Sequence, residues 1–227
     1  METERKEQYR QGIFRTLKTH LIEKMSELGT PMTFKKGKVI FEEGEYLAGV
    51  FFVESGVCKL SKLSSNGRNQ IVRFVKEGSA LGQRSVVSQE PVNLTATVIK
   101  DMSVCFIPKE YILDSFIDNP KFSMELIKDL CNELRKADNF IADMSQKTVR
   151  QRLADALIYL NDTFGLDKDN YIDMPLSREE LGNFVGTATE SLIRSMSSLT
   201  KEKIIRTQGR TIRILKYDEL KKIAKGE

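Results

Sequence analysis

Two hydrophobic periods divide the chain. Between Val39 and Ile107 the apolar residues come in short runs rich in β-branched and aromatic side chains: Val39–Phe41, Gly49–Glu54, Val57–Leu63, Gln70–Val75, Leu94–Ile99 and Val104–Ile107. Runs of this length and composition predict strands. Gly37, Gly44, Ser55-Gly56, Asn66-Gly67 and Gly78 stand between them, where tight turns call for positive φ. Asn66-Gly67 is the best hairpin signal among them. Many short strands at nearly regular spacing predict a sandwich or small barrel. Roughly thirty residues of helix, Ile13 to Leu28 among them, are expected ahead of it.

Beyond Pro108 the period lengthens. Ile127, Leu134 and Ile141 stand seven apart, and Leu130, Ala137 and Met144 repeat that spacing three residues behind them. This is an a/d seam of nearly three heptads, flanked by Lys128, Asp129, Glu133, Arg135, Lys136 and Asp138. Phe122, Leu126, Cys131 and Phe140 lie off the seam and are the expected contacts to the strand domain. The seam is then left for a second copy of the chain, and a parallel dimer helix is predicted.

The remainder reads as helices with a small terminal sheet. Val149, Leu153, Ala156, Leu157 and Leu160 have helical spacing up to Phe164, and Gly165 can end that helix. Asp167–Pro175 is a polar loop. Ser177-Arg-Glu-Glu180 is an S-x-x-E capping box opening a helix that Gly186 breaks, and Thr187-Ala-Thr-Glu190 reads as a second box opening a helix through Leu192, Ile193, Met196 and Leu199. Two capped helices around a short glycine turn are the signature of a helix-turn-helix. Ile204–Arg206 and Thr211–Leu215, joined through Thr207–Arg210, form a wing.

Charge adds a partner class. The 227 residues carry a formal net charge of only +4. Arg194 to Lys216, however, holds Arg194, Lys201, Lys203, Arg206, Arg210, Arg213 and Lys216 against Glu202 alone. A local excess of this kind suits a phosphate-facing surface. With 40% hydrophobic and 30% charged residues the chain can bury a core. No apolar run is long enough for a transmembrane helix, and the first residues lack a signal-peptide stretch. Cys58, Cys105 and Cys131 form no CxxC pair, so reduced thiols and a cytoplasmic location are expected. No metal-spaced His/Cys cluster, nucleophile–base set or P-loop is present, which argues against an enzyme.

In order and spacing, Phe34–Glu45, Phe52–Gly56, Phe74–Gly82, Val149–Ala154 and Leu176–Gly186 with Glu190 and Arg194 resemble the CRP/FNR family of bacterial transcription regulators over almost the whole chain. The resemblance implies an α+β fold: an N-terminal double-stranded β-helix, a jelly-roll of the cyclic-nucleotide-binding type, over 1–119; a dimerisation helix over 120–146; and a winged helix-turn-helix over 147–227. It implies a homodimer on double-stranded DNA with an inverted-repeat site, recognition by Thr187–Thr200, and contact with RNA polymerase. The acidic loop around Asp167, Asp169 and Asp173 fits either a polymerase contact or a solvated loop.

The same resemblance places Thr189, Glu190, Ile193 and Arg194 at the base edges. The chemistry agrees: guanidinium donates to guanine O6 and N7, carboxylate accepts from cytosine N4, and threonine or isoleucine can touch a thymine methyl. A TTG-like half-site is expected. The bland alternative is a surface Glu190–Arg194 ion pair. Thr187, Ser191, Ser197 and Arg210 are the expected phosphate contacts, which set register and affinity and not sequence.

Effector candidates implied by the resemblance are Gly82, Gln83, Arg84, Ser85 and Thr95. Cyclic-nucleotide binders of this fold use Gly-Glu for the ribose and a later arginine for the phosphate. Here Gln83 replaces the acid and Asn93 or Leu94 occupies the arginine position, so a signal other than cyclic AMP is expected. Four-cysteine iron–sulfur ligation is excluded by three scattered cysteines, and His20 alone does not suggest haem. The alternative is a ligand-independent regulator whose roll only holds the dimer or contacts polymerase. Cys58 and Cys105 are expected in the core, Cys131 as the one candidate for redox chemistry.

Overall fold

A computed structural model describes Glu23, Glu27–Ser64, Gly67 and Asn69–Glu227. Most of the expected helix from Ile13 to Leu28 lies outside the described residues, as do His20 and Asn66. The described chain divides into two compact units. The first holds the strands up to Ser64 and Val72–Arg135, and the second Ser65–Ile71 and Lys136–Glu227.

The first unit is a six-stranded antiparallel roll. Its strands are β1 (Thr30–Phe34), β2 (Val39–Phe41), β3 (Gly49–Leu63), β4 (Asn69–Lys76), β5 (Ala80–Leu81) and β6 (Thr95–Pro108), in the order β1-β6-β3-β4 with β2 on β6 and β5 on β3. Short helices α1 (Gln83–Ser88) and α2 (Lys109–Asp118) lie either side of β6 in the chain, and α3 (Pro120–Gln146) follows.

Strand alternation explains why the runs in β3 and β6 are apolar throughout. Val50 and Phe52 join one core with Cys105, Ile107, Tyr111, Phe122 and Leu126. Phe51 and Val53 join another with Cys58, Leu60, Ala96, Val98 and Val104. Successive side chains point to opposite faces, so a strand buried on both sides has no polar positions to spare.

Two predicted breaks are not breaks. Gly49–Glu54 and Val57–Leu63 are one strand, and Leu94–Ile99 and Val104–Ile107 are joined as β6. Ser55-Gly56 is a bulge, with the β3/β6 register shifting between Val53 and Cys58. Gly56 takes φ 88°, and a Cβ there would lie 2.3 Å from the Asp101 carbonyl oxygen. A glycine signalling positive φ is compatible with a turn or a bulge, and only the pairing decides which.

Cys58 and Cys105 are fully buried, as expected, and burial pushes the Cys58 thiol up to about 12 against an opposing pull from Arg73. Cys131 is exposed and does not face the roll. The roll-facing stripe is Phe122 and Leu126, with Leu130 partly packed beside them, and Arg73 pairs with Glu133 at 2.6 Å further along. Leu130 is therefore shared between roll and seam. Ile127, Leu134 and Ile141 are 51%, 64% and 67% exposed, an open apolar stripe on α3.

Gly56→Ala is expected to destabilise the roll by at least about 1–3 kcal/mol from the left-handed backbone alone, more once the main chain of Asp101–Met102 gives way. A urea melt of the purified protein measures it, and wild-type stability would show that the bulge relaxes freely.

Candidate nucleic-acid interface

The second unit builds on α4 (Val149–Phe164). Thr148 caps it, accepting from the Gln151 amide while its own amide donates to Gln151 Oε1 at 2.8 Å. Leu153, Ala154, Ala156, Leu157 and Leu160 form the buried face, against which pack α5 (Arg178–Val185), α6 (Thr189–Lys201) and α7 (Tyr217–Lys225).

The capping box on α5 forms as read. The Glu180 amide donates to Ser177 Oγ and the Ser177 amide to Glu180 Oε2, both at 3.0 Å. Gly186 ends the helix at φ 72°, ψ 47°. The second box does not form. The Thr187 amide donates to the Gly182 carbonyl at 3.0 Å, and Ala188 becomes the N-cap of α6 without a side-chain bond. The turn closes on Gly182 first and pushes the start of α6 one residue along, out of the register an S/T-x-x-E box requires.

That shift leaves Glu190 outside a capping role. Leu192, Met196 and Leu199 are the buried side of α6. Glu190, Ile193, Arg194 and Ser197 are exposed, at i, i+3, i+4 and i+7, so they form one stripe along the helix. Arg194 Nη2 donates to Ser191 Oγ at 2.8 Å, and no Glu190–Arg194 ion pair forms among the described residues. Thr187 and Thr189 are half-buried at the entry to α6.

Behind the stripe, Arg150 on α4 donates to Glu202 Oε1 at 2.8 Å and to Ser198 Oγ at 2.7 Å. The bonds from Arg150 hold the Glu202 carboxyl below its usual range, with Ser198 adding to the effect. The lone acid of the basic stretch is thus neutralised from within the unit.

The wing is β7 (Ile205–Gln208) and β8 (Thr211–Ile214), with Arg210 exposed in the turn. Arg178 Nη2 holds the Gly209 carbonyl at 2.8 Å, and the Tyr171 hydroxyl bonds Gln208 Oε1 at 3.1 Å. Arg206 and Arg213 are cross-strand partners. Like charges directly opposite one another destabilise a strand pair, whereas a shared anion would relieve them. In the sequence both arginines lie equidistant from the Gly209-Arg210 turn, and that symmetry is the signal that pairs them. Asp167 of the acidic loop is a structural group: its Oδ1 accepts from the amides of Asp169 and Tyr171.

Two family models match this architecture, the cyclic nucleotide-binding domain over residues 31–119 and the Crp-like helix-turn-helix domain over 151–223. The transcriptional activator protein FnrA of Stutzerimonas stutzeri is 29% identical over 189 residues, 82% of this chain and 76% of that protein. The CRP-like cAMP-activated global transcriptional regulator of Mycobacterium tuberculosis is 24% identical over 218 residues, 95% of this chain and 97% of that protein. FixK2 from Bradyrhizobium japonicum superposes with a TM-score of 0.76 at 26% identity, over 86% of this chain and 96% of that one.

The chain belongs to the CRP/FNR family of transcription regulators.

As a CRP/FNR-family member it is a DNA-binding transcription regulator and not an enzyme. The family's effector region can be followed in the roll. Gly82 takes φ 87° and opens α1, which carries Gln83 and Ser85 inward and buried. Ser85 Oγ bonds the Glu90 carbonyl. Arg84 faces the surface, 3.5 Å from both the Glu90 carboxylate and the Pro91 carbonyl. Thr95 Oγ1 accepts from the Glu43 amide at 3.1 Å. Gly82, Gln83, Arg84 and Ser85 are thus brought together on one short helix, while Thr95 is bonded to the turn after β2. On α3, Ala137 is exposed beside the open stripe, and Met144 lies against Gly186.

Ser177→Ala removes the side-chain half of the α5 capping box, leaving the Glu180 amide without Ser177 Oγ, and is expected to cost about 1 kcal/mol, read as a lowered urea midpoint with unchanged slope.

Proposed function

We propose that this regulator binds an inverted repeat as a homodimer, with Glu190, Ile193 and Arg194 reading bases and Arg206, Arg210 and Arg213 meeting phosphates. The exposed stripe on α6, borne on a helix whose other side is fully packed, carries this reading. Arg194 held by Ser191 supports it too, since a guanidinium not spent on Glu190 leaves the carboxylate available to a cytosine amino group. The opposed arginines of the wing favour the same partner, because a phosphate relieves their repulsion.

The dimer closes over Ile127, Leu134 and Ile141. Burying each such side chain contributes roughly 1.5–3 kcal/mol, enough together to hold two parallel α3 helices in a protein whose charges there are peripheral. Paired α6 helices then enter successive major grooves about 34 Å apart.

The roll responds to a signal other than cyclic AMP. Gln83 is an amide where the nucleotide site wants an acid, and Arg84 is turned to the surface at Glu90. No cation of the 82–95 segment remains to neutralise an enclosed phosphate. The cytoplasm is the compartment this activity requires.

Selection from random duplex DNA by purified protein should enrich a TTG-like inverted repeat. Glu190→Ala and Arg194→Ala should each lose about 1–3 kcal/mol of discrimination at the G·C pair. Arg210→Ala should weaken all sequences alike and lower the salt slope by about one. Enrichment without symmetry, or unchanged readout in both α6 variants, would refute the assignment. Leu134→Asp should yield monomers in sedimentation velocity at concentrations where wild type is dimeric, and calorimetry with cyclic AMP should show no heat of binding.

A further inference from the structure

The link between α3 and α4 is two residues, Lys147 and Thr148. Arg152, in the first turn of α4, is bound there to main-chain carbonyls of two other helix ends. Its Nε donates to Val185 at 3.0 Å and its Nη2 to Gly186 at 3.3 Å, where α5 stops. Its Nη1 donates to Lys147 at 2.7 Å and lies 3.5 Å from the Met144 carbonyl, where α3 stops.

The last carbonyls of a helix lack intrahelical donors and carry the negative end of its dipole. One planar guanidinium therefore completes two helix C-termini at once and fixes the distance and angle between them. Lysine, a point charge on a flexible stem, cannot present donors in both directions with the same rigidity.

Two further contacts stiffen the same joint. Lys147 Nζ bridges Asp143 of α3 at 3.0 Å and Asp155 of α4 at 2.7 Å. A Cβ on Gly186 would come within 2.7 Å of Met144 Sδ, so the end of α3 and the turn of the helix-turn-helix are in direct contact.

We propose that Arg152 is a positioning residue: it locks the angle between the long helix and the helix-turn-helix and so sets the half-site spacing that the dimer accepts. This rests on the dimeric reading given above. B-DNA turns roughly 34–36° per base pair, so a site lengthened by a single pair asks the two reading heads to rotate relative to one another. A joint pinned on both helix ends resists that rotation. Avidity between two linked sites amounts to about 10²–10⁴-fold and disappears when geometry forbids simultaneous engagement.

The test uses the full-length protein and four duplexes: the selected inverted repeat, the same repeat with its centre one pair longer or one pair shorter, and a single half-site. Fluorescence anisotropy should show wild type losing about 100-fold on either altered spacing. Arg152→Lys and Arg152→Gln should lose less than about tenfold, with the glutamine variant the more tolerant, and both should keep wild-type affinity for the single half-site. A merely structural role would instead depress half-site binding as well. Lys147→Ala cuts the bridge between Asp143 and Asp155 but keeps the main-chain carbonyl that Arg152 uses; it should shift the spacing ratio in the same direction, which keeps the test open if Arg152→Gln fails to fold. Variants that discriminate between spacings as sharply as wild type overturn the proposal. Wild type that binds a half-site as tightly as the repeat would overturn the dimeric reading itself.

Discussion

Helix α3 buries only Phe122 and Leu126 fully, although apolar residues recur along most of its twenty-seven positions. That imbalance constrains the rest of the molecule. The roll-facing stripe ends near Leu130 and passes to the Arg73–Glu133 ion pair, and the opposite stripe stands exposed among the described residues. A helix this long cannot be held by one turn of apolar contact and left otherwise bare in water, because most helical stability in proteins comes from packing one face. In the dimer proposed above a second α3 covers Ile127, Leu134 and Ile141, and the two-fold site proposed for it rests on the same apolar stripe.

The reading end obeys a complementary rule. Its eight-residue core on α4 and α6 takes one side of α6 and leaves the opposite stripe outside the packing. Glu190, Ile193, Arg194 and Ser197 are exposed there, so core packing does not dictate their identities. The duties that remain polar are handled behind the stripe, where Arg150 holds Glu202 and Arg178 holds the wing turn.

Much of this was legible in the residues. The Ser177–Glu180 box, the helix ending at Gly165 and the wing strands each rest on local spacing, and each is found where the spacing put it. The failures share a cause as well. Ser55-Gly56 looked like a turn because positive φ is local, while a bulge is defined by the partner strand. Thr187–Glu190 looked like a capping box because the motif fits, but the Gly182 carbonyl, supplied from the preceding helix, captured the Thr187 amide first. Leu130 was placed wholly on the seam because periodicity cannot reveal that the roll reaches it. Arg152 carried no motif of its own: its partners are carbonyls, and carbonyls are the same at every position of a sequence.

The short α3–α4 link has a consequence for how such a chain can vary. An α-helix advances about 1.5 Å and turns about 100° per residue. One residue added between Ile141 and Gln146 would therefore swing the reading head about a quarter turn or more around the long helix while the open stripe stayed where it was. A surface loop can lengthen with little thermodynamic effect, since loop-closure entropy grows only logarithmically. The last turn of α3 cannot. In the proposed dimer, residue count between the α3 stripe and α6 acts as an angular measure, and insertions should be tolerated there only in steps that restore the phase of the helix.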